Sequence, residues 1–196
     1  MIMKDKVDIA IFASGMGTNA ENIISRQESY DYNVKLIITD NPNSGVINIA
    51  KEYKIFHLVI RDENILEFLK KSNIKLIALA GYLKKIPNYI IDNFLVLNIH
   101  PSLLPKYGGK GMYGLNVHEK VLDNGEEYTG ITIHSVTEEY DKGEILMQQK
   151  IPVLMGDTPY SLQKRVQILE HGHYPFFINV KCVEIKGEER VKKLNL

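Results

Sequence analysis

A single cysteine, Cys182, leaves the chain without an internal disulfide or a thiolate cluster for a metal, and Cys182 reads as a small apolar residue of a late strand. Net charge is also missing. The 24 Lys plus Arg are matched by 24 Asp plus Glu, so no overall field draws the chain toward nucleic acid or an anionic lipid surface. Long hydrophobic runs are absent as well. The apolar stretch at residues 7–13, behind a mixed-charge start at residues 1–6, is too short for a signal or membrane segment, and the expected location is the cytosol. No internal repeat, low-complexity tract or linker breaks the sequence. No Gly-Lys-Ser/Thr ending follows its glycine-rich loop, which excludes a P-loop nucleotidase.

What is present fits an ordinary globular protein. The 196 residues are 44% hydrophobic and 24% charged, enough for one well-buried core. One domain over residues 1–196 is expected. Near-continuous apolar runs at 7–13, 34–39, 56–60, 75–80 and 94–99 read as strands buried on both faces. Amphipathic segments at 18–27, 45–53, 62–71 and 86–93 read as the helices between them. Such alternation predicts an α/β fold, an open and mostly parallel twisted sheet flanked by helices. Later, residues 129–137 alternate, 144–153 read as a partner strand and 160–171 as a helix. These add antiparallel strands near the C-terminus, and residues 180–185 with 189–191 are expected to close the fold as a hairpin.

Ligands of open α/β sheets bind at the carboxyl ends of the strands, and two motifs fall there. In Asn98-Ile99-His100-Pro101-Ser102, an extended backbone sends Asn98 and His100 to one side and Leu97 and Ile99 to the other. A donor amide then stands beside a titratable base. Asp141, in the acidic turn after a strand carrying His134, offers a carboxylate to orient and charge that histidine. The bland alternative is a strand end whose polar groups bond the proline loop. The second motif, Ser14-Gly15-Met16-Gly17-Thr18-Asn19, follows the first strand and opens a helix, where main-chain N–H groups and the helix dipole suit an anion. Two other readings stay open: a tight turn without ligand, and a dinucleotide site built on Gly15-x-Gly17-x-x-Ala20 with Asp40 as the ribose-binding acid. His171 and His173 lack a carboxylate partner at metal-ligand spacing, so no metal is expected.

The segments Ala13-Ser14-Gly15-Met16-Gly17-Thr18-Asn19, Leu79-Ala80-Gly81-Tyr82, Asn98-Ile99-His100-Pro101-Ser102-Leu103-Leu104-Pro105, Asp141-Lys142-Gly143 and Arg165-Val166-Gln167-Ile168-Leu169-Glu170-His171 together resemble the phosphoribosylglycinamide formyltransferases over nearly the whole chain. The resemblance implies transfer of a formyl group from 10-formyltetrahydrofolate, a cosubstrate, to the amine of glycinamide ribonucleotide in purine synthesis. It puts Asn98, His100 and Asp141 at the catalytic positions. It implies that Gly17, Thr18 and Asn19 hold the nucleotide phosphate, and that Gln167 and Glu170 reach its ribose and glycinamide part. Leu83, Lys84, Lys85 and Ile86, with Asn98, would line the folate pocket. Residues 1–100 become the nucleotide-binding half and 101–196 the folate-site and closing half. The partners implied are these two small molecules, with no nucleic acid and no membrane, for a monomer or homodimer.

The chemistry agrees with those side chains. An amine attacking a formyl carbon builds negative charge on its oxygen, which the Asn98 amide can meet with a donor. His100 can be cationic near that oxygen or carry the amine proton to the leaving nitrogen, and Asp141 would favour the imidazolium. The substrate amine attacks directly, so no protein nucleophile is needed.

The chain departs from the family pattern twice. Lys84 stands where many members have arginine, replacing a planar fork by a point charge. The loop at residues 106–114 is longer and richer in glycine, which suits either a lid or a passive surface excursion. Methionyl-tRNA formyltransferase and formyltetrahydrofolate deformylase share the asparagine, histidine and aspartate but normally carry a further domain, for which this chain leaves no room. A nicotinamide oxidoreductase leaves Asn98, His100 and Asp141 unexplained. A noncatalytic folate-binding module would not need all three.

Overall fold

The apolar runs of the first half form β1 (Val7–Phe12), β2 (Tyr32–Thr39), β3 (Phe56–Val59) and β4 (Leu76–Leu79). Ile9, Ile11, Ile37, Leu76 and Ile77 are fully buried along them, as strands covered on both faces require. Crossover helices α1 (Thr18–Arg26), α2 (Val46–Glu52) and α3 (Leu66–Lys71) connect them. The computed structural model describes residues 5–61 and 64–194, so the first two positions of the helix expected over 62–71 lie outside the described residues.

The chain divides into two compact units, Met1–Lys84 with Tyr174–Leu196, and Lys85–His173. In the first unit the strands run in the order β3-β2-β1-β4, and every neighbouring pair is parallel. The strand ends that carry Ala13 and Thr39 therefore lie side by side, with the loop before α1 and the loop before α2 next to each other.

The second unit contains α4 (Asn88–Ile91), β5 (Leu95–His100), α5 (Leu115–Asp123), β6 (Tyr128–Ser135) and β7 (Ile145–Pro152). Here β5 pairs with β6, and β6 with β7, all antiparallel. Parallel strands in one unit and antiparallel strands in the other bear out the expected α/β class. The helix expected over 86–93 shrinks to four residues because Pro87, at its N-cap, forces the residue before it away from helical backbone.

The closing hairpin is not formed. Residues 180–185 and 189–191, and Cys182 with them, belong to one long helix, α6 (Pro159–Leu194). Its buried positions, Leu162, Val166, Glu170, Tyr174, Ile178 and Cys182, recur at steps of four, a helical period that β-branched residues nearby obscured. In the first unit Tyr174 Oη donates to the Leu79 carbonyl at 3.1 Å, and Lys186 pairs with Asp31 at 2.8 Å. Burying side chains such as Tyr174 and Ile178 contributes about 1.5–3 kcal/mol each, which outweighs weak strand propensity. Among the described residues no helix is long and apolar enough to cross a membrane.

Candidate active site

Alternate residues of β5 point to one side, and the structure uses this to present Asn98 and His100 together. Leu97, between Val96 and Asn98, is fully buried in the core. Antiparallel pairing sets Asn98 opposite His134 of β6, with Asn98 Nδ2 3.0 Å from His134 Nε2. The turn between β6 and β7 then folds back on the same place. A Cβ on Gly143 would lie 1.7 Å from the Ser135 carbonyl oxygen, so only glycine lets the turn approach this closely. Asp141 arrives with left-handed backbone, φ 56°. Its Oδ2 accepts from the Gly109 N–H at 2.8 Å and lies 3.6 Å from His100 Nδ1. Its Oδ1 lies 3.4 Å from Asn98 Nδ2 and 3.5 Å from His134 Nε2.

The hydrogen-bond network assigns the protons. His134 Nδ1 lies 2.7 Å from the Ser135 carbonyl, which can only accept, so this nitrogen carries the proton of the neutral ring. Its Nε2 then accepts from Asn98. By the same logic His100 Nε2, 2.7 Å from the Tyr107 carbonyl, is protonated, and Nδ1 toward Asp141 is where a second proton binds. Asn98 keeps its oxygen turned away from both partners, and its 3.4 Å contact with Asp141 is long enough to exchange readily.

Burial and charge act on His100 in opposite directions. Burial lowers the affinity of His100 for a second proton, and outweighs the opposing pull of Asp141 and of the Tyr107 carbonyl. The balance of these effects favours the neutral ring over the imidazolium. Burial alone would raise the Asp141 carboxyl, but the two histidines beside it and the Gly109 amide together hold it below the usual carboxylate range. The site therefore holds a fixed anion, a neutral base and an amide donor within hydrogen-bonding reach of one another.

A third histidine stands behind this group. His118, on α5, is 1% exposed, and its Nδ1 has no hydrogen-bond partner among the described residues. Burial first, then the neighbouring His100, depress its pKa to about 4. An unfolded histidine binds its proton near pH ~6.5, so the native state gains stability above that pH and loses it as pH falls toward 4. The loss attributable to His118 is about 3 kcal/mol. Urea unfolding at pH 7 and pH 4.5 is expected to show a smaller acid loss for His118→Leu than for the parent chain, and equal losses would refute the assignment.

The glycine loop lies in the first unit. Gly17 caps α1 with φ 84°, Thr18 is exposed at its first position and Asn19 follows with a buried side-chain oxygen. Two residues not singled out from sequence hold the loop: Asn41 donates to the Ser14 carbonyl at 3.1 Å, and Ser44 to the Gly15 carbonyl at 2.6 Å. Both carbonyls are thus drawn toward the β2–α2 connection. Asp40 accepts from Ser14 Oγ at 2.5 Å, so one of its carboxylate oxygens serves the loop.

The residues expected near the folate are distributed along one segment. Leu83 is 47% exposed, and its N–H donates to Ser14 Oγ at 3.0 Å. Lys84 Nζ donates to the Arg61 carbonyl at 2.9 Å. Lys85 places its ammonium 5.5 Å from the Tyr140 ring centroid, while Ile86 is a core residue. On α6, Gln167 is half-buried and Glu170 buried, three residues apart on one face. Among the described residues no group of three or more His, Cys, Asp and Glu is arranged to hold a metal ion.

Residues 7–178 match the family described as formyl transferase. The chain is 38% identical to phosphoribosylglycinamide formyltransferase, chloroplastic, of Arabidopsis thaliana over 94% of its own length, and spans 66% of that protein. It is 33% identical to phosphoribosylglycinamide formyltransferase of Bacillus subtilis, covering 86% of this chain and 91% of that one. A crystal structure of phosphoribosylglycinamide formyltransferase from Anaplasma phagocytophilum superposes with a TM-score of 0.82 at 30% identity, over 90% of this chain and 87% of the other. With the matched region containing β1, the glycine loop and all four polar groups around Asp141, the chain belongs to the formyl transferase family.

Proposed function

We propose that the chain is a phosphoribosylglycinamide formyltransferase, moving a formyl group from 10-formyltetrahydrofolate to the amine of glycinamide ribonucleotide for purine synthesis. The observation that carries this reading is the convergence of Asn98, His100, His134 and Asp141, all within 3.6 Å of a neighbour in the group. The formyl folate supplies an activated one-carbon unit.

The protein's own groups account for the rest. As the amine adds, the formyl oxygen becomes anionic, and Asn98 meets it with an N–H by giving up the 3.4 Å contact with Asp141. The attacking amine must lose a proton. His100 takes it at Nδ1, because Nε2 is committed to the Tyr107 carbonyl, and Asp141 stabilises the imidazolium so formed. The same proton then passes to the leaving nitrogen as the tetrahedral carbon collapses. Transfer is direct, with no formyl group on the protein.

Substrate roles follow the family positions. Gly17, Thr18 and Asn19 hold the phosphate, with Asn41 and Ser44 orienting their loop. Gln167 and Glu170 contact the ribose and glycinamide, and Leu83, Lys84, Lys85, Ile86 and Asn98 receive the folate. Residues 1–196 act as one functional domain, with the nucleotide side in 1–100 and the folate-site and closing side in 101–196. The balanced net charge supports small-molecule partners rather than nucleic acid or membrane. With this reading goes a monomer or homodimer working in the cytosol. The test is steady-state turnover of 10-formyltetrahydrofolate with and without glycinamide ribonucleotide. Turnover is expected to depend on the nucleotide and to exceed free hydrolysis by at least about 10²-fold, the scale of one positioned acid–base group. Equal rates would point to a hydrolase, and tight nicotinamide dinucleotide binding would revive the oxidoreductase reading.

A further inference from the structure

Among the described residues, four that are not glycine hold left-handed backbone: Lys54, Asn73, Tyr107 and Asp141. Lys54 and Asn73 each stand one position beyond the C-cap of a helix, α2 and α3, where this conformation is an ordinary way to end a helix. Tyr107 and Asp141 have no such role. They are the two residues that address the two nitrogens of His100, through the Tyr107 carbonyl at 2.7 Å from Nε2 and the Asp141 carboxylate at 3.6 Å from Nδ1. Strained backbone persists only where its surroundings over-determine it.

For Tyr107 the surroundings are specific. Its phenol donates to Glu126 Oε1 at 2.8 Å and accepts from Asn124 Nδ2 at 2.9 Å, both on the turn between α5 and β6. Glu126 is held in turn by Lys106 Nζ at 2.7 and 3.0 Å. On either side the main chain is pinned separately, by Ser102 Oγ on the Lys106 carbonyl at 2.7 Å and by the Gly109 N–H on Asp141 at 2.8 Å. The phenol is therefore the tie that fixes the one peptide whose carbonyl faces the histidine.

We propose that Tyr107 is a positioning residue for His100: its phenol, tethered to Glu126 and Asn124, holds the left-handed turn that aims its carbonyl at Nε2, so that Nδ1 is the nitrogen left to exchange a proton beside Asp141. The inference rests on the reading of His100 as the proton carrier. A loop with a phenylalanine at 107 would keep the ring and both outer pins and lose only the tie. The imidazole could then populate the other tautomer, with its proton on Nδ1 toward Asp141, which cannot accept a substrate proton.

The sign of the pH effect follows from what faces the ring. Asp141 from the β6–β7 turn and the Tyr107 carbonyl favour the charged form, while burial, His134 from β6 and His118 from α5 oppose it. Loosening the carbonyl removes one favourable partner, so the His100 limb of the kcat profile moves to lower pH.

Tyr107→Phe and Glu126→Ala test this in the full chain, by ¹⁵N chemical shifts of the His100 ring without substrates and by the pH dependence of kcat. Both variants are expected to move the Nε2 resonance away from its protonated position, and to lower kcat about tenfold, a fraction of what a positioned acid–base group supplies, with both KM values within about twofold. Wild-type ring shifts and pH profiles in both variants would overturn the proposal, even if either variant were less stable. Altered ring shifts in a parent protein that transfers no formyl group would sustain the tether while removing the proposed reaction.

Discussion

Asp141→Asn is expected to lower kcat on the order of 10²–10⁴-fold, the range assigned to a functioning acid–base group, with little change in KM. The substitution keeps the shape of the side chain and can still accept from the Gly109 N–H, whose bond to Oδ2 is 2.8 Å. What changes is the other face. With the oxygen kept at the Oδ2 position, the new amide nitrogen takes the Oδ1 position, facing Asn98 Nδ2 and His134 Nε2, and His100 Nδ1 is left beside a neutral amide oxygen. The substitution also removes the negative charge that opposes the cost of burying an imidazolium. Steady-state kinetics with both substrates varied check this, and a kcat within about threefold of the parent, far below the acid–base range, would show that Asp141 is structural.

Asn98→Ala is expected to cost about 3–4 kcal/mol of transition-state stabilisation, roughly 10²–10³-fold in kcat, as for loss of one oxyanion donor. The structure gives a reason for the effect to fall on kcat. In the absence of substrate the amide hydrogens are spent on His134 at 3.0 Å and Asp141 at 3.4 Å, so the donor is stored within the site and released only as charge develops. Asn98 is half-buried on β5, and its loss leaves the neighbouring Leu97 in place, so unfolding midpoints should shift little compared with turnover. A variant with lowered stability and unchanged kcat would reverse the assignment.

Much of this arrangement could be read from the chain alone, for definable reasons. Apolar runs placed β1, β2, β3 and β4 within a residue or two, because strand length depends on local sequence. The expected burial of β3 on both faces fails: it is an edge strand with Phe56 and Val59 exposed, a position set by sheet order rather than by its own residues. A side-chain period of two put Asn98 and His100 on one side. His134 was legible only as a histidine of the strand before Asp141; its place opposite Asn98 comes from antiparallel register, a long-range property that the alternating strand does not reveal. Asn41 and Ser44 were missed for a similar reason, since they act on a loop 27 and 29 residues earlier in the chain. The end of α6 misled because Val180, Val183 and Ile185 suggest a strand, whereas Tyr174, Ile178 and Cys182, four apart and fully buried, decide the outcome by packing. The resting charge of His100 was not legible at all. It depends on how completely the ring is buried, which no local pattern encodes.

The most direct test follows a labelled formyl group through one turnover, with protein in excess over 10-formyltetrahydrofolate and saturating glycinamide ribonucleotide, quenched at millisecond intervals. The account predicts that label leaves the folate and appears on the nucleotide amine at a single rate, with none attached to the protein at any time. Label trapped on the protein before it reaches the nucleotide would contradict it.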